Sequence, residues 1–97
     1  MRTEEIDMLD DLAEEQAKTD PRARGEWETM KLVVELIKAR QEKGLTQADV
    51  AGRMGVAQQR VAEIERRPWG VGFARIVTYA RAVGIEVGIV GELAEAA

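Results

Sequence analysis

Twenty consecutive residues, Gln47 to Arg66 (QADVAGRMGVAQQRVAEIER), hold most of the side chains in this chain that have chemistry to offer. Near their end lie Gln58, Gln59, Arg60 and Glu63: two amides, a guanidinium and a carboxylate. Such groups donate and accept hydrogen bonds to another polar surface, and they are poor at moving protons at neutral pH. The residues for the other chemistries are missing. The 97-residue chain has no His and no Cys, which excludes zinc fingers, thiol and imidazole catalysis, and disulfides. Carboxylates do pair in sequence, as Asp10 with Asp11 and Glu63 with Glu65. Neighbours on a helix diverge, however, and exposed acids alone make weak metal sites. The sequence therefore predicts neither an enzyme nor a metal or cofactor site.

To present those side chains, a scaffold must hold one helix outward against another. Two helices that cross steeply over a three- or four-residue turn need a small residue at the crossing and apolar residues beneath it. Ala51 supplies the small side chain, and Gly55 supplies a turn residue able to take positive φ. Val50, Met54, Val56, Val61 and Ile64 fall where side chains point into the shared core. That leaves Ala57, Gln58, Gln59, Arg60 and Glu63 facing out, free to meet a major groove.

The rest of the chain reads as the frame for this pair. Residues 4–18 lack Gly and Pro and repeat apolar positions (Met8 and Leu12; Ile6, Leu9 and Ala13), which predicts an amphipathic helix. Thr19-Asp20-Pro21 joins a capping residue to a proline suited to the first helical position, so a second helix should begin there and run to about Lys43. Its apolar members are Trp27, Met30, Val33, Val34, Leu36 and Ile37, with Trp27 read as a core anchor, and Gly44 is placed to end it. Three short helices follow. Thr46 caps the first, Gly55 precedes the second, and Pro68-Trp69-Gly70 separates the second from a third at 73–83. The third puts Phe73, Ile76, Val77, Ala80 and Val83 on one face and stops at Gly84. Beyond it, Ile85, Val87 and Ile89 alternate with polar or small residues as in a strand. A lone strand has no ladder partner, so pairing with the same strand of a second copy is the economical solution.

Charge is segregated along the chain. Overall, 18 acids outnumber 14 bases, for a net −4. Residues 1–30 hold ten acids and four bases, whereas 31–85 hold ten bases and five acids, so an acidic arm precedes a middle of net +5 that suits a polyanion. No apolar run approaches the roughly 20 residues that cross a bilayer. Met1 leads into acidic sequence and not into a signal peptide. A cytoplasmic location without membrane contact is expected.

At Leu45-Thr46-Gln47, Ile64-Glu65 and the core positions between them, the chain resembles the helix-turn-helix regulators of Xre and Cro/cI type, over Leu45 to about Gly84. A narrower resemblance, to HigA-type antitoxins of RelE/ParE-fold toxins, is carried by three stretches. These are Asp20-Pro21-Arg22-Ala23-Arg24-Gly25-Glu26-Trp27, Ile37-Lys38-Ala39-Arg40, and Tyr79-Ala80-Arg81-Ala82-Val83-Gly84 with the strand after it. The resemblance implies that Gln47 holds a DNA phosphate at a helix N-terminus and that Arg53, Arg66 and Arg67 clamp the backbone. It implies base reading by Ala57, Gln58, Gln59, Arg60 and Glu63. A glutamine amide bonds adenine N6 and N7, the Ala57 methyl touches a thymine methyl, Arg60 takes a guanine or a phosphate, and Glu63 accepts from cytosine N4. Ala57 stands where relatives more usually have a capping Ser or Thr.

The expected fold is mainly α, a lambda-repressor-like helix-turn-helix domain of about five helices with a C-terminal strand paired across a homodimer. Residues 1–20 form the acidic arm, 21–84 the helical domain with its helix-turn-helix at 46–66, and 85–97 the dimerisation strand and tail. The partners that the resemblance implies are an inverted-repeat operator in double-stranded DNA, a second copy of the chain and a basic RelE/ParE-type toxin. The toxin would be met by Ile6, Leu9, Asp10, Leu12 and Glu14. The expected function is an autorepressing antitoxin. The alternatives are a stand-alone Xre-type repressor, and a protein-interaction adaptor whose helix-turn-helix no longer binds DNA.

Overall fold

The computed structural model describes Glu15 and residues 18–88, which contain four α-helices and one short 3-10 turn. Helix α1 is Pro21–Glu42, α2 is Gln47–Met54, α3 is Gln58–Arg66 and α4 is Phe73–Val83, with the 3-10 turn Pro68–Gly70 between α3 and α4. Glu15, Lys18 and Thr19 are also helical. The fifth helix expected over 4–18 otherwise lies outside the described residues.

Local chemistry sets the boundaries. The Asp20 carboxylate accepts the Arg22 amide at 3.0 Å, with Pro21 in the first turn where its missing N–H costs nothing. α1 unwinds at Gly44, whose φ of 71° lets the Leu45 amide reach back to the Arg40 carbonyl at 3.1 Å. Thr46 and Asp49 form a capping box at the start of α2. The Thr46 hydroxyl accepts the Asp49 amide at 3.0 Å, and the Asp49 carboxylate accepts the Thr46 amide at 2.8 Å. Those hydrogen bonds hold the Asp49 carboxyl below its ordinary pKa. Gly55, at φ 70°, makes the turn into α3.

The core gathers one stripe from each helix: Val33 and Leu36 of α1, Val50 and Ala51 of α2, Val61 and Ile64 of α3, and Ile76, Tyr79, Ala80 and Val83 of α4. Burying a side chain of valine or leucine size stabilises by about 1.5–3 kcal/mol. Burial of these stripes therefore fixes how the short helices α2 and α3 cross. Two cations close the C-terminal end of α4: the Lys43 ammonium donates to the Val83 carbonyl and Arg53 Nη1 donates to the Ala82 carbonyl at 2.9 Å.

Several expected core positions lie elsewhere. Val56 is 39% exposed, because it follows the turn glycine and its amide bonds back to the Ala51 carbonyl while its side chain points away. Phe73, in the first turn of α4, is 65% exposed, and the buried face of that helix runs through Tyr79 in place of Phe73 and Val77. Trp27 is only half-buried and lines a surface groove with Ala23, Met30 and Trp69, and Lys31 Nζ lies 6.0 Å from its ring centroid. Pro68 is buried between α3 and α4, and Trp69 lies over the N-terminal half of α1 at 42% exposure. Residues 85–88 form no strand, since a single chain offers no ladder partner. Ile85 and Val87 instead pack their side chains against the core of their own chain, and Ile89 lies outside the described residues.

Candidate nucleic-acid interface

Helix α3 is held from one side and open on the other. At about 100° per residue, Gln59, Glu63 and Arg66 fall within about 60° of one another, opposite the buried Val61 and Ile64, with Gln58 and Arg60 flanking them. Ala57, Gln58, Gln59, Arg60 and Arg66 are exposed and Glu63 is partly so, so none of the five expected base-reading residues is taken up by the core. Ala57 caps the helix with φ −70° and ψ 150° but contributes no side-chain hydrogen bond. Arg60 Nη1 lies 3.8 Å from Glu63 Oε2, a loose exposed pair that a competing phosphate or base edge can open at small cost.

Beneath this surface lies a polar node that the residue pattern did not announce. The Glu65 carboxylate receives Arg40 through two nitrogens (Nε to Oε2, 2.8 Å; Nη2 to Oε1, 3.1 Å), the Gln47 amide at 3.0 Å and the Tyr79 hydroxyl at 2.6 Å. One residue from each of the four helices thus meets at one carboxylate. The Arg40 and Glu65 side chains are only 11% and 9% exposed, and Arg40 Nη1 also donates to the Leu45 carbonyl at 2.8 Å. Among the described residues no buried side-chain polar atom lacks a partner. Burial pushes the Glu65 carboxyl up, but the Tyr79, Gln47 and Arg40 hydrogen bonds and the Arg40 charge outweigh it, leaving it below the ordinary value. Burial, and then the adjoining carboxylate, push the Tyr79 phenol well above its ordinary range. The Arg40 guanidinium is held cationic, because Glu65 and Tyr79 more than offset its burial.

Two of the four expected phosphate contacts, Gln47 and Arg53, also make hydrogen bonds within the domain. The Gln47 side-chain nitrogen donates one N–H to Glu65, which ties α2 to α3 and leaves that nitrogen a second N–H for an anion. Thr46 takes the Asp49 amide, so α2 also offers an anion the backbone amides of Gln47 and Ala48 at its first turn. Arg53, exposed in the last turn of α2, donates one N–H to the Ala82 carbonyl near the end of α4. Arg66 and Arg67 remain exposed at the end of α3, in keeping with a backbone clamp. Ile6, Leu9, Asp10, Leu12 and Glu14 lie outside the described residues. No group of three or more His, Cys, Asp or Glu among the described residues is placed to hold a metal ion. None of the described helices is long and apolar enough to cross a membrane.

A short helix crossing a second one over a left-handed glycine, with its polar face outward, is the arrangement by which proteins enter a major groove. A family model described as helix-turn-helix matches residues 36–89, from Leu36 of α1 past the end of α4. No curated protein matches the chain significantly, and no solved structure does. The matched span covers more than half of the chain and contains the whole crossing pair, and on that ground the chain belongs to the helix-turn-helix family of DNA-binding regulators of Xre and Cro/cI type.

Proposed function

We propose that this regulator is a sequence-specific antitoxin that represses its own operon and neutralises a basic RelE/ParE-type toxin in the cytoplasm, without enzymatic activity of its own. The observation that carries the DNA half is α3 itself, rigidly seated through Val61, Ile64 and Glu65 while Gln58, Gln59, Arg60 and Glu63 face out. In a homodimer, joined through Ile85, Val87 and Ile89, two such helices would enter successive major grooves about 34 Å apart on an inverted repeat. Repression is then steric occupancy of the promoter.

The toxin half is supported by charge. Residues 1–30 carry ten acids against four bases. An RNA-cleaving toxin must present a basic surface to its substrate, and an acidic segment is steered to such a surface and covers it. Mobility shift on the DNA upstream of the chain's own gene, across a salt series and with the product of the adjacent gene added, tests both halves. Specific, salt-sensitive binding that the added product alters supports the proposal. Binding indifferent to that product makes the chain a stand-alone repressor, and no binding at all makes it an adaptor.

A further inference from the structure

Arg60 shares a cavity with a second arginine. Met54, Val56, Arg60, Ile64, Arg75 and Thr78 line one cavity of about 250 Å³ at the edge of α3, where the helix meets the turn from α2 and the outer face of α4. Its floor is apolar, and Val56, which the fold leaves exposed, forms part of it. The Thr78 hydroxyl already donates to the Ala74 carbonyl at 3.0 Å, so the donors left to the cavity are the guanidiniums of Arg60 and Arg75. Both arginines are exposed. Among the described residues the only carboxylate paired with either is Glu63, at 3.8 Å from Arg60, which leaves the two guanidiniums in excess at the cavity. Two cations sharing one notch repel each other, and an anion between them relieves that repulsion.

We infer that this notch holds a phosphate of the DNA backbone between Arg60 and Arg75, with the adjoining sugar against Val56, making Arg75 a DNA-positioning residue. The inference rests on the DNA-binding reading above. It resolves the two roles open to Arg60: at the flank of α3, about 100° round from Gln59, its guanidinium goes to the backbone, and base reading falls to Gln58, Gln59 and Glu63. Arg75 is then the one contact that sets how far α4, and the core behind it, stands from the duplex.

Salt dependence tests this, because each neutralised phosphate contributes about 0.9 to the slope of log K against log salt. Wild-type chain, Arg75→Gln, Arg75→Lys and Arg81→Gln are titrated onto the upstream DNA and onto a mixed-sequence duplex. Arg75→Gln is expected to lower the slope by about 0.9, so that the affinity lost between 50 and 200 mM salt shrinks about 3.5-fold. Its loss of affinity should be the same on both duplexes. Arg75→Lys should restore the slope, and Arg81→Gln, an exposed arginine on the same helix, should leave it unchanged. Wild-type binding with a normal slope that Arg75→Gln leaves intact overturns the inference alone. A loss confined to the upstream DNA also overturns it, since a base contact would then be at work. Absence of salt-dependent wild-type binding overturns the DNA-binding reading, and the inference with it.

Discussion

Tyr79 of α4 donates its hydroxyl to Glu65 of α3 at 2.6 Å, on the same carboxylate oxygen that receives Arg40 Nε of α1 at 2.8 Å. With Gln47 of α2 on the other oxygen, the reading helix is fixed from behind by three neighbours. Packing of Val61 and Ile64 alone would allow α3 to slide or roll by a fraction of a turn. A carboxylate with directional partners on three helices does not, and a half-ångström error in the helix position would misplace every base contact.

This node should dominate the stability of the domain. Arg40→Ala leaves a partly buried carboxylate without its countercharge and should cost about 1–3 kcal/mol. Tyr79→Phe removes one hydrogen bond to an ionised acceptor and should cost about 1.5–3 kcal/mol. Urea unfolding midpoints with unchanged slope measure both. A loss of less than 1 kcal/mol for Arg40→Ala, as for an exposed pair, would mean that the node does not hold the helices.

Stability should be level through neutral pH and fall at both ends. Glu65 titrates below its ordinary value in the folded chain, so its contribution is complete above the unfolded pKa of about 4.3 and is lost as pH falls through the folded one. Asp49 has the same sign. Tyr79 titrates above its ordinary value, so its contribution is complete below about pH 10 and is lost as pH rises through the folded value. With no histidine in the chain, nothing should titrate in between except the chain terminus. Thermal melts from pH 3 to 11 check this: Tyr79→Phe should flatten the alkaline limb and, by removing the first of the hydrogen bonds that lower the Glu65 carboxyl, shrink the acid limb as well.

Most helix boundaries were legible in the sequence because they rest on single residues with local effects. Asp20 with Pro21, Thr46 with Asp49, and the glycines at 44, 55 and 84 each act within one turn. The node was not legible, because it joins residues up to 39 positions apart in sequence, from Arg40 to Tyr79. A signal existed. Arg40 follows buried Leu36 by four and Glu65 follows buried Val61 by four, and a charge in phase with a buried stripe calls for a partner. Phe73 and Val56 misled for the opposite reason: apolar character in phase with a stripe does not bury a residue that stands at the first turn of a helix or just past a turn glycine. Gln47 and Arg53 were placed on DNA by resemblance, and their hydrogen bonds to Glu65 and Ala82 depend on tertiary approach that no local pattern encodes.

The uncapped start of α3 can be improved. Ala57 already has the extended backbone of a capping residue and lacks only an acceptor, so Ala57→Ser should stabilise by about 0.5–2 kcal/mol. A rise in melting temperature of several degrees, roughly 4–8 °C per kcal/mol, is the expected reading. No rise would show that the first amides of α3 are already satisfied.

The acidic arm and the reader should separate. A chain beginning at Lys18 keeps all four helices and the node, and should bind the upstream DNA with undiminished affinity while losing its grip on the adjacent gene's product. Calorimetric titration with each partner measures the two affinities. Retained binding of that product would place its contact on the helical body.

As a specific regulator, this chain must read sequence through the outward face of α3. The direct measurement compares wild type with Gln58→Ala/Gln59→Ala on the upstream DNA and on a mixed-sequence duplex at one fixed salt concentration. The account predicts a loss of about 1–3 kcal/mol per lost base contact on the upstream DNA, with affinity for the mixed duplex nearly unchanged. Equal affinities of the wild type for the two duplexes, or a variant that discriminates as well as the wild type, would contradict it.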